Sequence, residues 1–175
     1  MQASLVMTII GRDRPGLVGQ LSAVIADHGG NWRESRMAHL GGQFAGILRV
    51  QLPAENEAKL LAALRNLETH GLSVRAESDS AGNAPAPHQH GIIEVVGHDR
   101  PGIIRQISQV LAAQHFNVEE LTSTCESAPM SGEMLFHATA RIQLPADSAL
   151  APLRQALEQI AADLMVDINI TPGHS

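Results

Sequence analysis

Apolar positions along the chain follow two alternating rhythms. Leu5 to Ile10 is a short run of β character, ended by Gly11. Leu17, Val18, Leu21, Val24 and Ile25 then recur on one helical face, and Gly29-Gly30 stops that helix. Two extended segments follow, 31–40 and 43–52, around Gly41-Gly42, the turn of a hairpin. After Pro53, the residues Leu60, Leu61, Leu64 and Leu67 mark a second helix closed by Gly71, and 72–77 is a last strand. The same order then returns: strand 92–97, helix 103–114, strands 117–126 and 133–144, helix 150–163, strand 167–170. The order βαββαβ, met twice, predicts an α+β protein of two ferredoxin-like domains. Each is an antiparallel four-stranded sheet with two helices on one face.

The repetition is visible in the residues themselves. Gly11-Arg12-Asp13-Arg14-Pro15-Gly16-Leu17-Val18 recurs as Gly97-His98-Asp99-Arg100-Pro101-Gly102-Ile103-Ile104, an offset of 86 that continues through Asn31/Asn117 and Glu34/Glu120. Further on the offset is 92: Arg49-Val50-Gln51-Leu52-Pro53 returns as Arg141-Ile142-Gln143-Leu144-Pro145, and Leu72-Ser73-Val74 as Leu164-Met165-Val166. The six extra residues fall near 127–133, with Pro129 and Gly132, and read as a longer hairpin loop. So long a period fits a duplicated domain and not a solenoid unit. Residues 79–90 are rich in Ser, Ala, Gly and Pro without apolar periodicity. The expected division is therefore domain 1 over 1–78, a linker over 79–90 and domain 2 over 91–175.

The repeated Asp-Arg-Pro-Gly tetrad sits where the first strand turns into the first helix. Pro15 suits a first helical position, and Asp13 could cap the free amides of the helix start. Gly16 leaves the backbone open to close approach. Such a helix N-terminus is an anion site suited to a carboxylate. Asn31 begins the next strand, expected beside the same edge of the sheet, where it and Asp13 would hold an ammonium group. Asp99, Gly102 and Asn117 repeat the set. Local physics leaves two readings open, since the same residues also serve ordinary turn and capping chemistry.

Composition narrows the function. The chain has 175 residues, 44% apolar, with three Phe, one Trp and no Tyr, so aromatic platforms for single-stranded nucleic acid are lacking. Net charge is −6; residues 1–78 carry 8 basic and 7 acidic side chains, 79–175 only 4 basic against 11 acidic. Neither half has the cationic excess that DNA requires, so direct nucleic-acid binding is not expected and a regulatory partner protein is. Cys125 is the single cysteine, expected as a small buried residue; it allows no internal disulfide and points to a reducing compartment. No run approaches a membrane span or a signal peptide, so the cytoplasm is expected. No cofactor is expected.

With these residues in view, the chain resembles the ACT domain family, amino-acid-sensing modules of metabolic enzymes and regulators. The resemblance covers both copies. Two such domains without an attached catalytic domain are similar in layout to the glycine cleavage system transcriptional repressor group, which acts on an activator protein. The resemblance implies a non-enzymatic regulator that senses a small amino acid, glycine among the candidates, and works through protein contact. The alternative it implies is a ligand-free dimerisation module. The ligand in ACT domains lies at an interface between domains, and by position the ligand-binding residues are Asp13, Gly16, Leu17 and Asn31, then Asp99, Gly102, Ile103 and Asn117. Asp13 and Asp99 stand where some ligand-binding members have Asn.

Other side chains point to no catalytic centre. Ser35, Ser123 and Asp27 form no recognisable nucleophile-and-base arrangement, and Glu119 and Glu120, adjacent on one strand, are expected on opposite faces. His88 and His90 flank Gln89 but lack a third rigid ligand for a metal. His28 and His115 fall at helix ends, where an imidazolium suits the dipole. His98, inside the repeated loop, could tune binding with pH. Trp32 is expected in the core or an interface. Four-stranded sheets with one open face and open edges fit a homo-oligomer.

Overall fold

The structure, a computed structural model, describes residues 1–79, 89–128, 132–144 and 150–173. Most of the expected linker, with His88, lies outside the described residues, as does Pro129 of the longer hairpin loop. The chain divides into two compact units, Met1–Ala84 and Pro85–Ser175. The first unit runs β1 (Gln2–Arg12), α1 (Leu17–Asp27), β2 (Asn31–Leu40), β3 (Gln43–Pro53), α2 (Glu57–Asn66) and β4 (Leu72–Ser78). The second runs β5 (Gln89–His98), α3 (Ile103–Ala113), β6 (Asn117–Ser127), β7 (Met134–Leu144), α4 (Leu150–Leu164) and β8 (Val166–Pro172). Strand orders are β2-β3-β1-β4 and β6-β7-β5-β8, antiparallel at every pairing, which is the ferredoxin-like arrangement.

Alternation along the central strands makes the core. Leu5, Met7 and Ile9 of β1 and Leu48, Val50 and Leu52 of β3 point to one face, where Leu17, Leu21 and Ile25 of α1 and Leu60 and Leu64 of α2 cover them. Ile93, Val95, Ile142, Ile107, Leu111, Leu153 and Leu157 do the same in the second unit. Each fully buried aliphatic side chain contributes about 1.5–3 kcal/mol of burial. Trp32 packs against the first core, its indole Nε1 donating to Ser35 Oγ at 3.2 Å.

The hairpin at Gly41-Gly42 pairs Leu40 with Gln43 and has φ of 58° and 77° at its two central residues, so both glycines are required there. Gly11 and Gly97 meet a different demand. A Cβ on Gly11 would lie 2.5 Å from the Gly71 carbonyl oxygen, and one on Gly97 2.8 Å from the Cα of Val166. The same register corrects the expected correspondence of the last strands. Leu72 lies opposite Gly11 and Val166 opposite Gly97, two residues later than the offset of 92 implies. The cause is α4, which runs unbroken to Leu164, whereas α2 gives way to a 3-10 turn over Leu67–His70.

Candidate functional site

The tetrad ends each first strand at the tip of the sheet. Asp13 N–H donates to the Gly42 carbonyl at 2.9 Å, and Asp99 N–H to that of Met134 at 2.9 Å, so the loop is pinned beside the β2–β3 or β6–β7 turn. The helices begin at Leu17 and Ile103, two residues after Pro15 and Pro101, so Pro15 is not the first helical residue it was expected to be. Gly16 and Gly102 are the N-cap residues, at φ of 93° and 98°, and no side chain caps either helix. Pro15 is thus in the turn and not in the helix, and Asp13, set off by the left-handed glycine, does not cap. Space above the two glycines is open: a Cβ there would meet nothing within 4 Å. Leu17 and Ile103 put their side chains into the cores, so only their backbone can face a ligand.

Asn31 is not beside Asp13. β1 and β2 are both antiparallel to β3, hence parallel to each other, and the crossover through α1 returns the chain to the far end of the sheet. Asn31 pairs with Gln51 while β1 ends opposite Gln43. At about 3.3 Å per residue the two ends of β3 stand roughly 26 Å apart. Asn117, opposite Gln143, is as far from Asp99. Within one domain no amino acid can touch both.

The neighbours of the two aspartates differ. His39 Nε2 lies 3.6 Å from Asp13 Oδ2. At the same position of β6 stands Cys125, which is exposed, contrary to expectation, because its strand is an edge with solvent along it. Its thiol is pushed above the ordinary cysteine range, first by local desolvation, then by the charge of Asp99 and a hydrogen bond to it. Arg14 donates to the His70 carbonyl at 2.9 Å and to Gln20 Oε1 at 3.0 Å, tying the first loop to the turn after α2. Arg100 reaches the sulfur of Met165 at 3.8 Å. His98 Nδ1 lies 3.5 Å from Glu133 Oε2.

A second constellation went unread in the sequence. A β-bulge at Arg33 in β2 recurs at Glu119 in β6, where pairing skips from Trp32 to Glu34 and from Val118 to Glu120. The bulge breaks strict alternation, so Glu119 and Glu120 share a side: their carboxylates lie 3.3 and 3.9 Å from Arg141. His90 Nδ1 adds a contact of 2.9 Å to Glu119. In the first unit Arg49 lies 2.9 Å from Glu34 and 3.1 Å from Asp79, whose carboxylate is nearly buried and also accepts from Ser4 Oγ at 3.3 Å. The signal was present, since Arg49/Arg141 and Glu34/Glu120 both survive in the repeat; only the bulge was invisible. Among the described residues no group of three or more His, Cys, Asp or Glu could hold a metal ion. No helix among them is long and apolar enough to cross a membrane.

Known families match this geometry. ACT domain models match residues 3–77 and 91–161. This chain is a tandem ACT-domain protein. It is 27% identical over 166 residues to the glycine cleavage system transcriptional repressor of Escherichia coli K12, covering 93% of this chain and 86% of that protein. A solved structure of an unknown protein from Galdieria sulphuraria is 28% identical, with a TM-score of 0.87 over 99% of this chain and all of that one. A proposed glycine cleavage system transcriptional repressor superposes with a TM-score of 0.73 at 19% identity, covering 100% and 99% of the two chains, and shows the fold alone. The tandem ACT protein is thus a regulatory protein and not an enzyme: ACT domain models match both units, and a relative that spans them is a transcriptional repressor.

Proposed function

We propose that this tandem ACT protein senses a small amino acid, glycine first among the candidates, and acts through contact with a partner protein to repress glycine cleavage genes. The observation that carries the reading is the pair of loop–helix junctions at Gly16 and Gly102, each with open space above a left-handed glycine and no side chain capping the helix behind it. The first-turn amides, with the positive end of the helix dipole, take the carboxylate. Asp13 or Asp99 takes the ammonium group. Asn31 or Asn117, a sheet's length away in its own domain, joins the site only when supplied by a second ACT domain. A ligand held by two domains then favours their assembled arrangement by its differential affinity for it, which gives the regulator its switch. The acidic balance supports action through protein and not on DNA, and a single cysteine is in keeping with the cytoplasm.

Calorimetry with glycine, serine and the remaining amino acids tests this directly. Heat is expected with at least one small amino acid, and Asp13→Ala combined with Asp99→Ala should remove it. No heat with any of them, and partner association indifferent to them, would discard the sensor. A second reading, an ACT module that binds no ligand, draws on His39 and Cys125, which already stand against the two aspartates. Under it, Asp13→Ala and Asn31→Ala change stability and leave regulation intact.

A further inference from the structure

The helix-free faces of the two sheets have diverged, and the divergence identifies an interface. On the first sheet the outward positions of the central strands are Val6, Thr8 and Ile10 of β1 and Ala45, Ile47 and Arg49 of β3. Ile10 and Ile47 are 53% and 55% exposed, and Leu40 at the corner is 82% exposed. A concavity of about 310 Å³ opens there between Val6, Ile47, Glu34, Arg36 and Arg49. The second sheet presents Glu126, Thr124, His137 and Thr139 where the first has Leu40, Ala38, Ala45 and Ile47. Ile92 and Val96 of β5 match Val6 and Ile10, so the two faces differ at these β2–β3 positions, where the first is apolar and the second polar.

The charges on the apolar face are ordered in rows. Arg75, Thr8, Ile47 and Arg36 lie side by side across the sheet, an arginine at either edge. In the next row on the same face come Glu77, Val6, Arg49 and Glu34, a glutamate at either edge. The matching rows of the second sheet, Asn169-Glu94-Thr139-Thr122 and Thr171-Ile92-Arg141-Glu120, have no such order. We infer that the helix-free face of the first ACT domain is the interface of a two-fold dimer, packing sheet on sheet against the same face of a second copy.

Self-complementarity selects the second copy over a foreign partner. Place a two-fold axis between facing sheets, perpendicular to the strands and passing between the two rows. It sets β4 over β4 and β2 over β2 with strand direction reversed. Arg75 then meets Glu77 of the second copy and Arg36 meets Glu34 of the second copy, each pair occurring twice. An axis along the strands would instead oppose arginine to arginine, so only one orientation fits. Aligned sheet packing at about 30° leaves such edge pairs within reach of an arginine side chain. Glu34, already beside Arg49, keeps its carboxyl group 67% exposed and has room for a second cation. Closed two-fold contacts of this kind are the commonest in soluble oligomers.

Sedimentation of the full chain over a concentration series tests the interface, independently of any ligand. The wild type should form dimers, and Ile47→Glu should abolish them. Arg75→Glu alone and Glu77→Arg alone should each raise the dimer dissociation constant by about tenfold or more, since each turns two attractions into repulsions. Both residues are exposed, so the fold stays intact, and unchanged far-UV circular dichroism verifies it. An equimolar mixture of the two variants restores every pair and should recover the wild-type constant. A monomer at all concentrations overturns the inference, as does a dimer indifferent to Ile47→Glu. A dimer that Ile47→Glu breaks but that neither charge reversal weakens, or that the mixture fails to rescue, overturns the two-fold arrangement.

Discussion

At the end of α1 the chain turns through Gly29 at φ 71°, and its N–H and that of Gly30 close the helix onto Ala26 and Ile25 at 2.9 and 2.8 Å. At the end of α3 the same closure is made by His115 and Phe116 onto Ala112 and Leu111 at 3.1 and 2.9 Å, but His115 carries a side chain at φ 61°. A left-handed conformation costs an L-residue about 1–2 kcal/mol. Glycine removes that penalty and brings back about 0.5–1 kcal/mol of extra unfolded-state entropy. His115 is exposed, so no packing is lost with its ring. His115→Gly should therefore stabilise the second domain by about 0.5–1 kcal/mol, which at a urea m-value of about 1.5 kcal/mol/M moves the midpoint up by roughly 0.3–0.7 M. The sole tryptophan, Trp32, lies in the first domain, so its fluorescence follows that domain while far-UV circular dichroism follows both. Where the two domains unfold separately, the later-assigned dichroism transition shifts and the fluorescence transition stays. Gly29→His is the reciprocal: its Cβ would make ordinary contacts of 3.4 and 3.8 Å, so only the backbone penalty remains, and the fluorescence midpoint should fall by a similar amount. An unchanged or lowered dichroism midpoint for His115→Gly would refute the reasoning.

Other consequences are equally direct. Gly11→Ala and Gly97→Ala drive a methyl group into the Gly71 carbonyl just before β4, at 2.5 Å, and into the Val166 backbone of β8, at 2.8 Å, and should destabilise their domains by about 1–3 kcal/mol in urea titrations. Arg49→Leu takes the cation away from the nearly buried Asp79 carboxylate, which keeps its bond from Ser4 Oγ, and should cost about 1–3 kcal/mol, read from Trp32 fluorescence. Cys125, held protonated beside Asp99, should react with maleimide more slowly at pH 8 than a free thiol; Asp99→Asn lowers its pKa, raises the thiolate fraction and speeds the reaction. Equal rates for the two proteins would show that Asp99 does not govern the thiol.

Periodicity carried the reading of the fold because the cores are almost wholly aliphatic, and the helices and central strands each bury one face only. The hairpin at Gly41-Gly42 was legible to the residue, since two consecutive left-handed positions admit little but glycine. Pro15 was placed in the helix for a physical reason: it satisfies the demands of a first helical position, but the left-handed Gly16 inserts a turn before the helix begins. Asn31 was misplaced because adjacency in sequence says nothing about which end of a parallel crossover a residue occupies. Glu119 and Glu120 were assigned to opposite faces by an alternation that holds only where no residue is inserted, and the bulge there is a backbone event without a residue-type signature.

Duplication makes these differences informative. Both copies keep the left-handed glycine, the pinned aspartate and the bulge with its arginine, each of which specifies a local geometry. What has changed lies around them: His39 becomes Cys125, the His70 carbonyl that holds Arg14 gives way to the sulfur of Met165, and the apolar β2–β3 positions of the helix-free face become polar. The first loop is tied to its surroundings by two aligned bonds from Arg14 and the second by a weak contact to sulfur. A loop already restrained loses less freedom when it binds. On the proposed function, the two junctions, alike in backbone, would be unequal as receptors. The first domain joins the better-tied loop to the apolar face, so under that proposal occupancy there would be the event best placed to bias assembly.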